Sequence, residues 1–133
     1  MYLLDSLNQA DLSIRPTAAN QCDKPIANPL CCAICKNPIT DQGQAIEVAG
    51  QHRHMKRNPS GQQFDIACFK HASGCLSVGQ PSLEYAWFEG CAWQIGHCRR
   101  CMVQLGWCFS GNSYFFGLIY EQLTPCDSNG QYI

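Results

Sequence analysis

The sequence predicts an all-β fold, and two observations support that prediction. From Leu30 onward the apolar stretches are short, and turn-forming clusters such as Asn58-Pro59-Ser60-Gly61 separate them at close spacing. Within several of these stretches, large apolar side chains alternate with other residues, which is typical of strands and not of helices. We therefore expect antiparallel sheets built from short strands.

Composition and charge exclude several classes of protein. The chain has 133 residues, 46% hydrophobic and 14% charged, which suits one folded domain and not a disordered chain. Its formal net charge of -1 disfavours a protein that binds nucleic acid by neutralising phosphates. Its longest apolar run, residues 114–120, is far below the roughly 20 residues that span a bilayer, and no signal-peptide pattern is present. We therefore expect a cytoplasmic protein that binds neither nucleic acid nor membranes.

The chain divides into a predicted domain and two tails. Residues 1–29 are polar, contain three prolines and have no sustained hydrophobic period, which predicts a mobile N-terminal tail. Residues 30–124 form the predicted β domain, and residues 125–133 are predicted to form a C-terminal tail.

Three strands of this domain can be justified from their residues. In residues 64–68 the larger apolar side chains fall on even positions and so share one face. In residues 103–109 the bulky side chains fall on odd positions and are predicted to share one face: Val103, Leu105, Trp107 and Phe109. Residues 114–120 predict another strand, in which Gly117 marks a bulge or a close approach.

Two identical C-x-x-C pairs, Cys32 with Cys35 and Cys98 with Cys101, stand out among the eleven cysteines. Each pair suits a tight turn, and together they complete the tetrahedral four-sulfur shell of a structural Zn²⁺ site, one ion per chain. Redox-active dithiols are the alternative, but no βαβ pattern surrounds either pair. Most of the remaining seven cysteines are predicted to be small buried residues in a reducing compartment. These seven are Cys22, Cys31, Cys68, Cys75, Cys91, Cys108 and Cys126.

The three tryptophans, Trp87, Trp93 and Trp107, lie close together in the sequence. Trp87 and Trp93 flank a loop whose Gly90 permits a sharp reversal, which would bring the two indoles together. Three indoles can form an open box for a flat ring or, through cation–π attraction, for a quaternary ammonium. A tryptophan-rich core is the alternative that composition alone favours.

Six short motifs occur in a characteristic order: Cys32-x-x-Cys35, Asn58-Pro59-x-Gly61, Trp87-Phe88-x-Gly90-x-Ala92-Trp93, Cys98-x-x-Cys101, Leu105-Gly106-Trp107 and Phe116-Gly117-Leu118. Over about residues 30–123, this order resembles the CULT domain, the thalidomide-binding domain of cereblon that also occurs in small single-domain bacterial homologues. The resemblance implies a β-tent, in which Zn²⁺ pins two antiparallel sheets together.

The resemblance also implies a ligand class: cyclic imides such as glutarimides and succinimides, uracil-like rings, thalidomide-type drugs and the cyclic imide C-termini of damaged proteins. The tryptophans would form the cage walls, the backbone near Tyr85 would bond the imide edge, and the Trp87 indole N–H would donate to one carbonyl. The implied ligand-binding residues are Trp87, Trp93, Trp107, Phe109, Phe64, Asn58, Pro59, Glu84 and Tyr85.

Two alternative functions remain at this point. Methionine sulfoxide reductases of the B type resemble the same architecture, but the chain lacks their Arg-(Tyr/Phe)-Cys-x-Asn motif, and Cys108 is the nearest substitute. We therefore expect no enzymatic activity. A quaternary-ammonium cage is the second alternative, because Glu84 and Glu89 lie near the first tryptophan. The chain is also too short to hold the ubiquitin-ligase adaptor region of cereblon, so we expect no such partner.

Overall fold

The computed structural model describes residues 28–126, and strands and turns account for nearly all of this part of the chain. Its strands are β1 (Pro29–Cys32), β2 (Pro38–Asp41), β3 (Arg53–Arg57), β4 (Gln63–Phe69), β5 (Cys75–Ser82), β6 (Cys91–Cys98), β7 (Gln104–Gly111), β8 (Phe115–Ile119) and β9 (Leu123–Pro125). The predicted all-β class is confirmed. Residues 1–27 and 127–133, which hold most of the two predicted tails, lie outside the described residues.

The strands form two antiparallel sheets. The small sheet has the order β9-β1-β2, and the large sheet has the order β3-β4-β8-β7-β6-β5. Single turns of 3-10 helix, Gln42–Gln44 and Tyr120–Gln122, follow β2 and precede β9. Between residues 28 and 126, no helix is long and apolar enough to cross a membrane.

The centre of the large sheet is covered on both faces, and β4 shows this residue by residue. Its even-numbered Phe64 and Ile66 belong to one cluster, whereas its odd-numbered Ala67 and Phe69 belong to another. The second cluster, here called the inter-sheet core, also contains residues of the small sheet: Leu30, Cys32, Ile39, Ala67, Phe69, Ala72, Cys75, Cys98, Leu105 and Leu118. The first, here called the aromatic core, lies on the other face: Ile66, Cys68, Phe88, Cys91, Trp107, Phe109 and Phe115.

One predicted strand face is wrong. Val103 and Leu105 pack in or against the inter-sheet core, whereas Trp107 and Phe109 lie in the aromatic core. The reason is a bulge, because the pairing of β6 with β7 skips Leu105 at an irregularity next to Gly106. One extra residue in a strand reverses the alternation on either side of it.

A disulfide corrects a second prediction. Cys31 and Cys126, which the sequence grouped with the reduced cysteines, are bonded to each other with their Cα atoms 5.9 Å apart. Antiparallel pairing of β9 with β1 brings them together, since Cys31 pairs with Thr124 and the Cys126 N–H donates to the Pro29 carbonyl. Their sequence separation of 95 residues explains why spacing did not reveal the bond.

Candidate functional site

The two C-x-x-C pairs meet at one place between the sheets. Cys32 ends β1 of the small sheet and Cys98 ends β6 of the large sheet, and the partner of each lies in the turn that follows. All four Sγ atoms lie within 4.8 Å of one another. Two of these contacts join one pair to the other, at 3.7 Å between the Cys32 and Cys101 sulfurs and 3.5 Å between the Cys35 and Cys98 sulfurs.

These separations fit a tetrahedral metal site. Four sulfurs bonded to Zn²⁺ at about 2.3 Å are separated from one another by about 3.8 Å. The cysteine set predicted from the sequence is therefore assembled, and its four sulfurs can bind a metal ion. An ion held there would join the turn of the small sheet to the turn of the large one.

Both cysteine turns have the same backbone design. The residue after the second cysteine, Lys36 in one turn and Met102 in the other, has a positive φ of 68° and 66° respectively. Its N–H donates to the carbonyl of the first cysteine, Cys32 or Cys98, at 2.8 Å and 2.9 Å. This local closure turns both thiols of each pair toward one point.

Polar groups around Cys98 favour its thiolate. The Arg100 N–H lies 3.4 Å from the Cys98 sulfur, and the Asn37 amide lies 3.7 Å from it. Burial raises the pKa of Cys98, but hydrogen bonds from the backbone N–H groups of Cys101 and Arg100 and from the thiols of Cys35 and Cys101 together outweigh burial and bring the pKa to about 6. The Arg100 guanidinium also donates to the Cys35 carbonyl at 3.2 Å, which ties one turn to the other.

An aromatic pocket of about 350 Å³ opens on the aromatic-core face of the large sheet. Its lining contains all three tryptophans, one phenylalanine and three side-chain amides. The lining residues are Asn58, Pro59, Gln62, Phe64, Tyr85, Trp87, Trp93, Ile95, Gln104 and Trp107.

The aromatic rings of the pocket contact one another edge to face. Trp87 and Trp107 have ring centroids 4.6 Å apart at 70°, and Phe64 lies 5.0 Å from Trp107 at 74°. Such tilted arrangements are favourable for aromatic pairs and hold the rings in defined positions. Trp93 lies on the neighbouring strand, two residues before Ile95, which pairs with Trp107.

Two loops complete the pocket, and hydrogen bonds hold them. In the β3–β4 turn, the Asn58 side-chain oxygen accepts from the Gln62 N–H at 2.8 Å and from the Ser60 hydroxyl at 2.9 Å. Two indoles hold the β5–β6 loop. Trp87, within the loop, donates to the Arg57 carbonyl at 3.0 Å, and Trp93, on β6, donates to the carbonyl of the loop residue Glu84 at 2.8 Å.

Most of the residues implied in ligand binding line this pocket, but two do not. Phe109 is fully buried and stacks on Phe115 at 4.9 Å, so it supports the pocket from the core. Glu84 contributes only its carbonyl, to the Trp93 indole. The Trp87 indole N–H, expected to bond a ligand, is already bonded to the Arg57 carbonyl.

Sequence reasoning missed three lining residues: Gln62, Ile95 and Gln104. Ile95 could have been predicted as a lining residue, because it lies two residues after Trp93 on the same strand and so shares its face. Nothing local indicated the glutamines. Cys91 and Cys108, predicted from the sequence to be small buried residues, are 3% and 2% exposed and do not line the pocket.

Comparison with known proteins identifies relatives of this chain. No protein-family model matches the sequence. It is 30% identical to protein cereblon of Danio rerio over 110 residues, which are 77% of this chain and 26% of that protein. The cereblons of Gallus gallus and Xenopus tropicalis are 30% and 31% identical over 105 residues, 72% of this chain and 23% of each relative. The chain thus spans about a quarter of the length of these relatives. It is a relative of cereblon that carries a cereblon-like CULT domain.

Proposed function

We propose that the aromatic pocket binds cyclic imides and uracil-like rings. The observation that carries the proposal is the meeting of three tryptophans and Phe64 in one pocket of a cereblon-like domain. Glutarimide, succinimide and uracil are small flat or puckered rings, and their faces stack on indoles. A cyclic imide at a protein C-terminus presents the same ring.

The backbone at Tyr85 can supply the polar groups that an imide edge needs. An imide offers two carbonyl acceptors around one N–H donor, and a backbone N–H and C=O would bond one carbonyl and the imide N–H. Tyr85 lines the pocket and has a positive φ of 55°. A residue held in this sparsely populated conformation is typical of functional sites. In so apolar a pocket, a ring that leaves polar groups unpaired would be rejected.

A neutral ring fits this pocket better than a quaternary ammonium. None of the described lining residues is a carboxylate, and Glu84 lies outside the lining. Cation–π attraction alone would then have to replace the hydration of the cation. A quaternary ammonium therefore serves as the control ligand.

The proposed activity is binding without chemical change. The lining residues include no cysteine, histidine, serine or carboxylate that would act as a nucleophile or base. Cys108, the substitute for a reductase nucleophile, is 2% exposed. We expect no methionine sulfoxide reductase activity from the purified chain.

Zn²⁺ is the proposed metal of the four-cysteine cluster. A closed shell of four thiolates without an open position is typical of structural zinc. Elemental analysis of freshly reduced protein should find one zinc per chain, and well under one would contradict the proposal.

Isothermal titration calorimetry tests the ligand. Glutarimide and uracil should bind saturably, whereas N-methylglutarimide, which lacks the N–H donor, and tetramethylammonium should not. Trp93→Ala removes one wall and should weaken glutarimide binding about tenfold or more. Tyr114→Ala, a change at a 70% exposed ring outside the lining, is the matched control. No imide binding by zinc-loaded wild-type protein would overturn the proposal.

A further inference from the structure

We propose that the Trp107 indole N–H is the side-chain donor that reads a ring carbonyl of the ligand. The proposal rests on the proposed imide-binding function of the pocket. It assigns to Trp107 a polar role that the sequence had assigned to Trp87.

The three indoles differ in their hydrogen bonds. Trp87 and Trp93 donate to backbone carbonyls, at 3.0 Å and 2.8 Å, and these bonds hold the β5–β6 loop. Trp107 also lines the pocket, but among residues 28–126 its indole N–H has no protein acceptor. Two indoles are therefore used by the protein itself, and one is left for a ligand.

The described residues around Trp107 offer its indole N–H no hydrogen-bond acceptor, so an acceptor would have to be a group bound in the pocket. Trp107 as a residue is only 8% exposed, so bulk solvent has little access to it. The rings of Phe64 and Trp87 contact it, and its cross-strand neighbours are Ile95 and Gly117. No side chain of these four residues, apart from the donor Trp87, carries a polar group. A buried donor without an acceptor costs free energy, and a ligand carbonyl in the pocket removes that cost.

The lining glutamines are less specific candidates for this role. Gln62 is exposed and Gln104 is half-buried, so both can exchange hydrogen bonds with water. An amide that loses water and gains a ligand changes little in net free energy, whereas the Trp107 donor gains a bond. Trp107 should therefore distinguish rings with two carbonyls from rings with one.

The test removes only the N–H group. Replacing Trp107 by 3-benzothienylalanine puts sulfur in place of N–H at nearly constant ring size. Affinity is measured for glutarimide, with two ring carbonyls, and for 2-piperidone, which has one. We expect wild-type protein to prefer glutarimide and the variant to lose about tenfold of that preference. An unchanged preference would overturn the proposal.

A second measurement needs no ligand and separates this proposal from the proposed function. In ligand-free protein, the benzothienyl replacement at Trp107 should leave thermal stability unchanged or higher, since no protein bond is lost. The same replacement at Trp93 should lower stability, because it removes the bond to the Glu84 carbonyl. Equal destabilisation at both positions would show that the Trp107 N–H is bonded within the protein. Wild-type protein that binds no imide would overturn the proposed function and leave this result standing.

Discussion

Gly117 shows how closely the aromatic core is packed against the large sheet. A Cβ atom at this position would lie 2.9 Å from Ile66 Cδ1 and 2.9 Å from Phe109 Cε2. The close approach predicted from the sequence is therefore present, and it is what allows the Phe109 ring to pack against Gly117.

Gly117→Ala should destabilise the domain by about 1–3 kcal/mol, because the new methyl group must displace buried side chains. Chemical denaturation of metal-loaded protein measures the change. Gly79→Ala is the control, since its Cβ would meet no atom within 4 Å and only its φ of +87° is unfavourable. Wild-type stability of the Gly117 variant would contradict the packing argument, whereas any loss at Gly79 reports backbone strain alone.

The Arg53–Asp65 pair gives a prediction of pH dependence. Arg53 donates to Asp65 through Nη2 at 2.5 Å and Nε at 3.1 Å, and this bonding lowers the pKa of Asp65. A lowered pKa in the folded state adds stability above the unfolded pKa of about 4, and that stability is lost as pH falls through the folded value. Because both side chains are partly exposed, Asp65→Asn should cost at most about 1 kcal/mol at pH 7. Its effect should shrink as the pH falls below the unfolded pKa, and a stability difference that stays constant from pH 7 into the acid range would contradict the assignment.

At the scale of the element, the two cysteine turns act as matched clips. Each closes through a residue of positive φ, and each presents two sulfurs toward the other sheet. The bulge at Leu105 lies close to the second cysteine turn. Because of the bulge, Leu105 packs in the inter-sheet core, whereas Trp107 and Phe109 pack in the aromatic core. One end of β7 therefore supports the metal cluster, and the rest carries the wall of the pocket.

Cys101→Ser should lose metal and several kcal/mol of stability, because binding free energy at such a site is folding free energy. Zinc content and thermal unfolding are measured together. Met102→Ala, at the next residue, keeps all four sulfurs and should keep the metal. Full zinc occupancy in the Cys101 variant would contradict the four-cysteine assignment.

At the scale of the whole molecule, the small sheet carries one disulfide and one candidate metal cross-link. The Cys31–Cys126 disulfide joins its first strand to the residue after its last, and a metal ion bound by the cysteine cluster would join this sheet to the large one. The disulfide closes a loop that contains nearly the whole described domain. Disulfides persist mainly in oxidising compartments, and the expected cytoplasmic location stays a prediction.

Removing the disulfide should lower the free energy of unfolding by about 2–4 kcal/mol. Cys31→Ala, Cys126→Ala and the double variant should each cost nearly the same, because either single change breaks the bond. Urea denaturation of metal-loaded protein measures all three. Additive losses would show that the two cysteines contribute independently and are not bonded.

The sequence by itself determined the fold class, the grouping of the four cysteines, the meeting of the three tryptophans and the relationship to the CULT domain. These depend on local information: alternation, turn residues, the C-x-x-C spacing and the order of short motifs. Only the tertiary structure decided the Cys31–Cys126 bond, the face on which Leu105 lies, the position of Phe109 behind the pocket and the partner of each indole. All four depend on strand register and on loops that pack from distant parts of the chain, and a shift of one residue in register reverses which side chains meet.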